Sequence, residues 1–318
     1  MVDAPPLRVI FFGTPEFAVP TLEALLRSRH QVVGVVTQPD RPRGRGQNTS
    51  PAPVKARAVD VAVPILQPER LKDDAFLADL AALRGDLGVV AAYGRILTDA
   101  VLATPRLGMV NVHASLLPKY RGAAPVHRAI MNGERETGVT IMRVVKALDA
   151  GPMLATSRRS IDPDETSEEV ERALARDGAA LLAAAVDDLA AGRAREMPQD
   201  DAAATYAHRL TKADGAIDWS WPADRIHNVV RGLHPWPHAS TFLHGRRLIL
   251  RRSSASSDPA DAAPGTVLVA RADDLIVAAG GGRVHLVEIQ AEGKRPMTAR
   301  EFLAGHRIAP GDRLTATP

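Results

Sequence analysis

"LRVIFFGTPEFAVPTLEALLRSRHQVVGVVT", Leu7 to Thr37, holds two continuous apolar runs, "LRVIFFG" and "QVVGVVT", on either side of a segment whose apolar residues recur at helical spacing. In that middle segment Thr14 is expected to cap the helix, with Pro15 at its first position, where a missing N–H costs nothing. Strand, helix, strand in about thirty residues is a βαβ unit. The runs show no polar alternation, so both faces of each strand should be covered, as in a parallel sheet.

Working outward, the pattern repeats. "PAPVKARAVD" reads as helix, "VPIL" as strand, "LKDDAFLADLAALR" as helix, "LGVVAAYG" as strand, "LTDAVLATP" as helix and "GMVNVH" as strand. After the helical "PVHRAIMNG", the stretch "TGVTIMRVVKALDAGPML" supplies one or two further strands with a glycine turn, and Thr166 to Gly192 is a long helix with an acidic first turn. The expectation is a doubly wound, mostly parallel Rossmann-like sheet.

Beyond "RAREMPQDDAAATYAHRL" the texture changes. One amphipathic helix, "PADRIHNVVRGL", precedes the short runs "RRLILRR", "GTVLVA", "DLIVAAG" and "RVHLVEI", separated by turn residues. Close, even spacing of this kind predicts a small antiparallel, OB-like β-barrel. The division read here is an N-terminal catalytic domain over 1–192, a linker over 193–205 and a barrel domain over 206–318. "SSASSDPADAAPG" is expected to be an exposed loop.

The totals narrow the chemistry. A length of 318 residues suits two domains, and an apolar share of 45% is enough to build their cores. There is no cysteine, which removes disulfides, thiolate nucleophiles and thiolate-ligated metals. No leader pattern or membrane-length apolar run is present, so a cytoplasmic protein is expected. Residues 1–205 carry 25 Lys+Arg against 26 Asp+Glu, a net of −1, and residues 206–318 carry 15 against 11, a net of +4. The positive excess sits in the barrel region, as a polyanionic partner would favour.

In open α/β sheets, ligands bind beyond the carboxyl ends of the strands. Gly13 is followed by "TPEFA", with neither the dinucleotide nor the Walker glycine pattern, which disfavours nicotinamide and nucleoside-triphosphate chemistry. Asn111 and His113, two apart at the end of "GMVNVH", leave the same face of their strand. A carboxamide and an imidazole so placed can converge on one carbonyl oxygen as it gains charge. The alternative is a turn-capping Asn and a loop His satisfied by its neighbours. A carboxylate is needed to orient the ring, and Asp149, just before Gly151-Pro152, is the candidate, unless it only forms the turn. There is no GxSxG elbow, so Ser115 with His113 and Asp149 makes a poor hydrolase triad, and no HExxH pattern points to a metal. The loop "TQPDRPRGRGQNTSPAPVK" carries Arg41, Arg43 and Arg45, suited to phosphates if it lies at a site and otherwise a solvated loop.

Along nearly its whole length the chain resembles the methionyl-tRNA formyltransferase branch of the formyltransferases that use 10-formyltetrahydrofolate. The resemblance is carried by "FFGTPEFA", "TQPDRPRGRG", "VVAAYGRIL", "NVHASLLPKYRGAAP", "TGVTIMRVVKALDAG", "IDW" and "PWPHA". It implies a catalytic trio of Asn111, His113 and Asp149. It implies a folate site at Ser115, Leu116, Leu117 and Pro118, with Tyr93, Gly94, Arg95, Ile96 and Leu97 lining the pterin pocket. Arg43 and Arg45 are implied to meet the acceptor end of a tRNA. Ala147, Ala150 and Pro152 depart from residues common in relatives, and "GRGQN" is less basic than the lysine-rich form of the loop. The implied reaction moves a formyl group from 10-formyltetrahydrofolate to the α-amino group of methionyl initiator tRNA, on a monomer and without metal. A folate-dependent enzyme acting on a nucleotide-linked amino sugar would share the trio but have less use for a basic barrel. A non-catalytic RNA-binding module would leave the strand-end polar residues unexplained.

Overall fold

The computed structural model describes residues 4–43 and 48–318. These residues form two compact units. The first comprises residues up to Ala123, Gly138–Arg159 and Glu171–Ala207; the second comprises Ala124–Thr137, Ser160–Val170 and His208–Pro318.

The first unit is built on a seven-stranded sheet. Its order is Met153–Ser160, Glu136–Arg143, Met109–His113, Leu87–Ala91, Arg8–Gly13, Gln31–Val36 and Ile65–Leu66. From Met109–His113 to Ile65–Leu66 all neighbours are parallel, and Glu136–Arg143 joins antiparallel to Met109–His113. The sheet is therefore mostly parallel, as the run pattern predicts. Val9, Ile10, Phe11 and Phe12 are all 0% exposed. Both faces of the central strand are covered, which is why the run lacks polar alternation. Below one face, Ile10, Phe12, Leu80, Val90, Tyr93 and Met109 form a continuous core.

Register brings the strand ends together. Gly13 pairs with Ala91, Phe12 with Val36, and Val90 with Asn111. The segments that follow these strands, starting at Thr14, Thr37, Ala92 and Ala114, thus leave from one edge of the sheet.

Thr14 does not cap the first helix. Its hydroxyl donates to the Tyr93 carbonyl at 3.2 Å and accepts from the Gln38 N–H at 3.4 Å. With that oxygen used across the sheet edge, the chain first makes a 3₁₀ turn over Glu16–Ala18, and the α-helix begins only at Val19–Arg27. Pro15 stays outside in extended backbone.

The second unit is a curled antiparallel sheet covered by helices. Strands Val267–Arg271, Asp274–Ala278, Arg283–Ala291, Arg246–Ser256, Ala239–Leu243 and Leu314–Thr315 follow one another around it. The first and last of these meet: the Leu314 N–H donates to the Gly265 carbonyl and the Val267 N–H to that of Asp312, each at 2.8 Å. The sheet closes on itself, and closure removes free strand edges. Trp219, Ile226, Leu250, Leu286 and Phe302 belong to its core. Helix Ala223–Gly232 buries Ile226, Val229 and Val230. The exposed-loop expectation fails at its start, because Ser253 to Ser256 continue the strand Arg246–Ser256. Ser253 can be buried there because its hydroxyl meets His227 Nδ1 at 3.1 Å. Among the described residues no helix is long and apolar enough to cross a membrane.

Candidate active site

Met109–His113 is the last strand of the parallel run, and His113 stands opposite Thr140 of the antiparallel strand. Asn111 and His113 point to one face of it, with Cα atoms about 6.6 Å apart at strand rise. His113 is buried and Asn111 half-buried.

Two contacts define the imidazole. Nε2 lies 3.0 Å from the Tyr120 carbonyl oxygen, and Nδ1 lies 3.7 Å from Asp149 Oδ2. A carbonyl can only accept, so Nε2 carries a hydrogen and donates it. Nδ1 is then the nitrogen left to exchange a proton. Its distance from the carboxylate is longer than a direct hydrogen bond.

Asp149 belongs to the turn between strands Glu136–Arg143 and Met153–Ser160 and has φ 46°. Left-handed backbone at a non-glycine residue is held only by its surroundings. The Gly122 N–H donates to Oδ2 at 2.8 Å. Gln199 Nε2 donates to the carbonyls of Asp149 and Gly151, both at 2.8 Å. Arg121, 4% exposed, donates from Nε and a terminal nitrogen to Gln199 Oε1 at 3.0 and 2.8 Å, and pairs with Asp201 at 2.6 Å.

The segment after the strand is held equally firmly. Ser115 donates to the Lys119 carbonyl at 2.6 Å, and the Thr140 hydroxyl donates to the Ser115 carbonyl at 2.7 Å while accepting from the Leu117 N–H at 3.2 Å. The Leu117–Pro118 peptide is cis. Arg121–Gly122 pairs in parallel with Tyr206–Ala207, and Thr205 receives the Tyr120 N–H on its hydroxyl at 2.9 Å. Gly122 is needed here: its φ is 118°, and a Cβ would stand 2.8 Å from the Ala207 carbonyl.

At the neighbouring strand end, Tyr93 is buried against Phe12 with ring centroids 5.7 Å apart. Its carbonyl accepts from Gln38 at 2.8 Å, and burial pushes its phenol above the usual range. Gly94 turns the chain at φ 82°, and Arg95 reaches back to the carbonyls of Pro68 and Glu69, each at 3.0 Å. Leu97 is half-buried, whereas Ile96 is 86% exposed. Among the described residues the buried Tyr93 hydroxyl has no hydrogen-bond partner. A cavity of about 120 Å³ lies nearby, lined by Thr14, Gln38, Asp40 and Arg41.

The structure thus brings His113 and Asp149 into contact and sets Asn111 on the face of His113. Arg43 lies in the short strand Pro42–Arg43, paired with Asn48–Thr49, and Arg45 lies outside the described residues. Sequence reasoning missed Thr140, Gln199, Thr205 and the Tyr120 carbonyl. Among the described residues no group of three or more His, Asp or Glu is placed to hold a metal ion.

The chemical centre of the first unit is a strand-end imidazole beside a turn-borne carboxylate. The description "Formyl transferase" matches residues 7–186, and "Formyl transferase, C-terminal domain" matches residues 209–307, so the chain belongs to the formyl transferase family. It is similar to the methionyl-tRNA formyltransferase of Moorella thermoacetica, 45% identical over 97% of this chain and 99% of the relative. It is also similar to that of Roseiflexus castenholzii, 49% identical over 97% of this chain and 99% of the relative. The fold is shared with an N-formyltransferase from Helicobacter canadensis, solved with folinic acid and dTDP-3-aminofucose, at TM-score 0.68 and 16% identity, covering 90% of this chain and 99% of that one.

Proposed function

We propose that the chain transfers a formyl group from 10-formyltetrahydrofolate to the α-amino group of methionyl initiator tRNA. The observation that carries this is the facing pair His113 and Asp149, 3.7 Å apart at the end of a strand of the parallel sheet. The likeness to methionyl-tRNA formyltransferases over 97% of the chain selects the acceptor, and the sugar-modifying reading rests only on distant folds.

The folate supplies an activated formyl carbonyl. Leu116, Leu117 and Pro118 on one side, and Tyr93 to Leu97 with exposed Ile96 on the other, would hold its ring and linker. Asn111 donates a carboxamide N–H to the carbonyl oxygen as negative charge develops there. His113, with Nε2 committed to Tyr120, works through Nδ1: protonated, it donates toward the same oxygen. Asp149, anchored by the Gly122 N–H, balances the imidazolium and receives the proton of the attacking amine, directly or through a water. As the carbonyl re-forms, the bond from the formyl carbon to N10 breaks and N10 takes up that proton, so tetrahydrofolate leaves neutral at N10. No covalent enzyme intermediate is required, in keeping with a chain that has no cysteine.

In this reading residues 1–192 carry the chemistry, 193–205 join, and 206–318 hold the tRNA, working in the cytoplasm. Support for the last part comes from a cavity of about 740 Å³ on the barrel, lined by Arg246, Arg247, Lys294 and Arg307 and, against them, Glu292. The excess of cations suits a phosphate backbone. Arg43 and Arg45 are assigned to the acceptor end. The test is the mass of initiator methionyl-tRNA before and after incubation with the protein and 10-formyltetrahydrofolate. Addition of one formyl group is expected, and an unchanged mass under turnover conditions overturns the proposal.

A further inference from the structure

Asp149 sits in left-handed backbone, with φ 46°, a region uncommon for non-glycine residues. Its carboxylate is fixed from one side by the Gly122 N–H. On the backbone side, Gln199 closes the turn by giving one amide hydrogen to the carbonyl of Asp149 and the other to that of Gly151. The amide oxygen takes two hydrogen bonds from Arg121. Every donor and the acceptor of this carboxamide are thereby used, and its orientation is chemically determined. The flipped amide would aim its N–H groups at a guanidinium and its oxygen at two carbonyls.

Arg121 is the unusual member. Its guanidinium is almost wholly buried, while its partner Asp201 is largely exposed. Burying a cation is costly unless it is paired and hydrogen-bonded. Here that cation has a task, because the same dipeptide, Arg121–Gly122, touches Asp149 by two routes: the Gly122 amide directly, and the Arg121 side chain through Gln199.

We infer that Gln199 is a positioning residue for Asp149, and that buried Arg121 sets the orientation in which Gln199 acts. The inference rests on the reading of Asp149 as the group that balances His113 and takes the amine's proton. The amide of Gln199 is wholly taken up by protein groups. It locks the turn so that the carboxylate stays beside Nδ1, and a shift of about 1 Å in a reacting group can cost on the order of a hundredfold.

The test is steady-state kinetics of the full-length protein, with methionyl initiator tRNA and 10-formyltetrahydrofolate, for Q199A, Q199E, D149N and D149N/Q199E. Q199E keeps the size of the side chain and still accepts from Arg121, but it has no N–H for the two carbonyls. Q199A and Q199E are expected to lower kcat by roughly tenfold to a hundredfold, with KM for the formyl donor within about twofold of wild type. In the D149N background Q199E should add little, because two changes acting through one group do not multiply. Wild-type kcat in Q199E, or losses that multiply in the double variant, would overturn the inference and leave the role of Asp149 standing. Wild-type turnover by D149N would overturn the catalytic reading itself, and this inference with it.

Discussion

At His113 the Tyr120 carbonyl, 3.0 Å from Nε2, takes the hydrogen of that nitrogen, which leaves Nδ1 on the side of Asp149. In the proposed mechanism proton traffic passes through Nδ1. Replacing His113 by Ala should lower kcat by on the order of a hundredfold or more with little change in folate binding; single-turnover formylation beside equilibrium binding of tetrahydrofolate checks both halves. Unaltered turnover would remove His113 from the mechanism. Asn111 and His113 could be singled out from sequence because two polar side chains close an otherwise apolar run, and Asp149 because it follows the next extended stretch. Gln199 could not. It lies far along the chain in a polar stretch with no periodicity, and its role consists of hydrogen bonds to main-chain carbonyls, which leave no trace in residue type.

At the scale of elements, the two-residue pairing of Arg121–Gly122 with Tyr206–Ala207 supports the site out of proportion to its length. A Cβ at Gly122 would press on the Ala207 carbonyl in a backbone region that L-residues avoid. Gly122→Ala should cost about 1–3 kcal/mol of stability and lower kcat by displacing the amide that holds Asp149; urea unfolding and kinetics together test it, and a stable, fully active variant would refute it. The long helix Ser167–Ala190 offers a pH-dependent case. Burial alone would raise the Glu169 carboxyl, but hydrogen bonds from the Thr166 hydroxyl and amide and from Arg252 bring it down to about 2. A lowered folded-state value means that this stabilisation is present above the ordinary carboxylate range, near 4.5, and is lost as pH falls toward 2. The melting temperature of Glu169→Gln should therefore lie below wild type at pH 7, with the gap closing between pH 4.5 and 2. A gap that does not change with pH would count against it. The Ser167–Ala190 helix and the strands of the parallel run were legible because their apolar patterns are set by burial, whereas Ala239–Leu243 and the two-residue strands Arg121–Gly122 and Tyr206–Ala207 were not, being too short or too mixed to leave a pattern. The start of the first helix was not, because the Thr14 oxygen had a competing partner across the sheet edge.

At the scale of the whole chain, one sequence carries a net −1 over residues 1–205 and +4 over 206–318. The second value has a structural counterpart in the barrel cavity lined by Arg246, Arg247, Lys294 and Arg307. Reversing Arg246 and Arg307 together should raise KM for methionyl-tRNA by roughly tenfold and flatten the dependence of log KM on log salt by about one unit per lost phosphate contact. KM measured across a salt series decides this, and an unchanged slope would exclude the cavity from tRNA binding. Arg45→Glu should likewise weaken use of the tRNA while circular dichroism stays as in wild type. The change in run length near residue 206 marks where βαβ units stop, since short runs between turn residues do not build them, but the grouping of Ala124–Thr137 and Ser160–Val170 with the second unit has no such local sign. Which short runs become neighbours around the barrel depends on pairings between distant segments, and no local pattern encodes those.

The meeting of Gly265 and Val267 with Asp312 and Leu314 makes the tail of the chain a latch. Removing residues 312–318 would leave two rows of backbone amides and carbonyls facing water, a template on which a second molecule can add its own strand. Shortened chains should therefore fail by sticking to one another before they fail by melting.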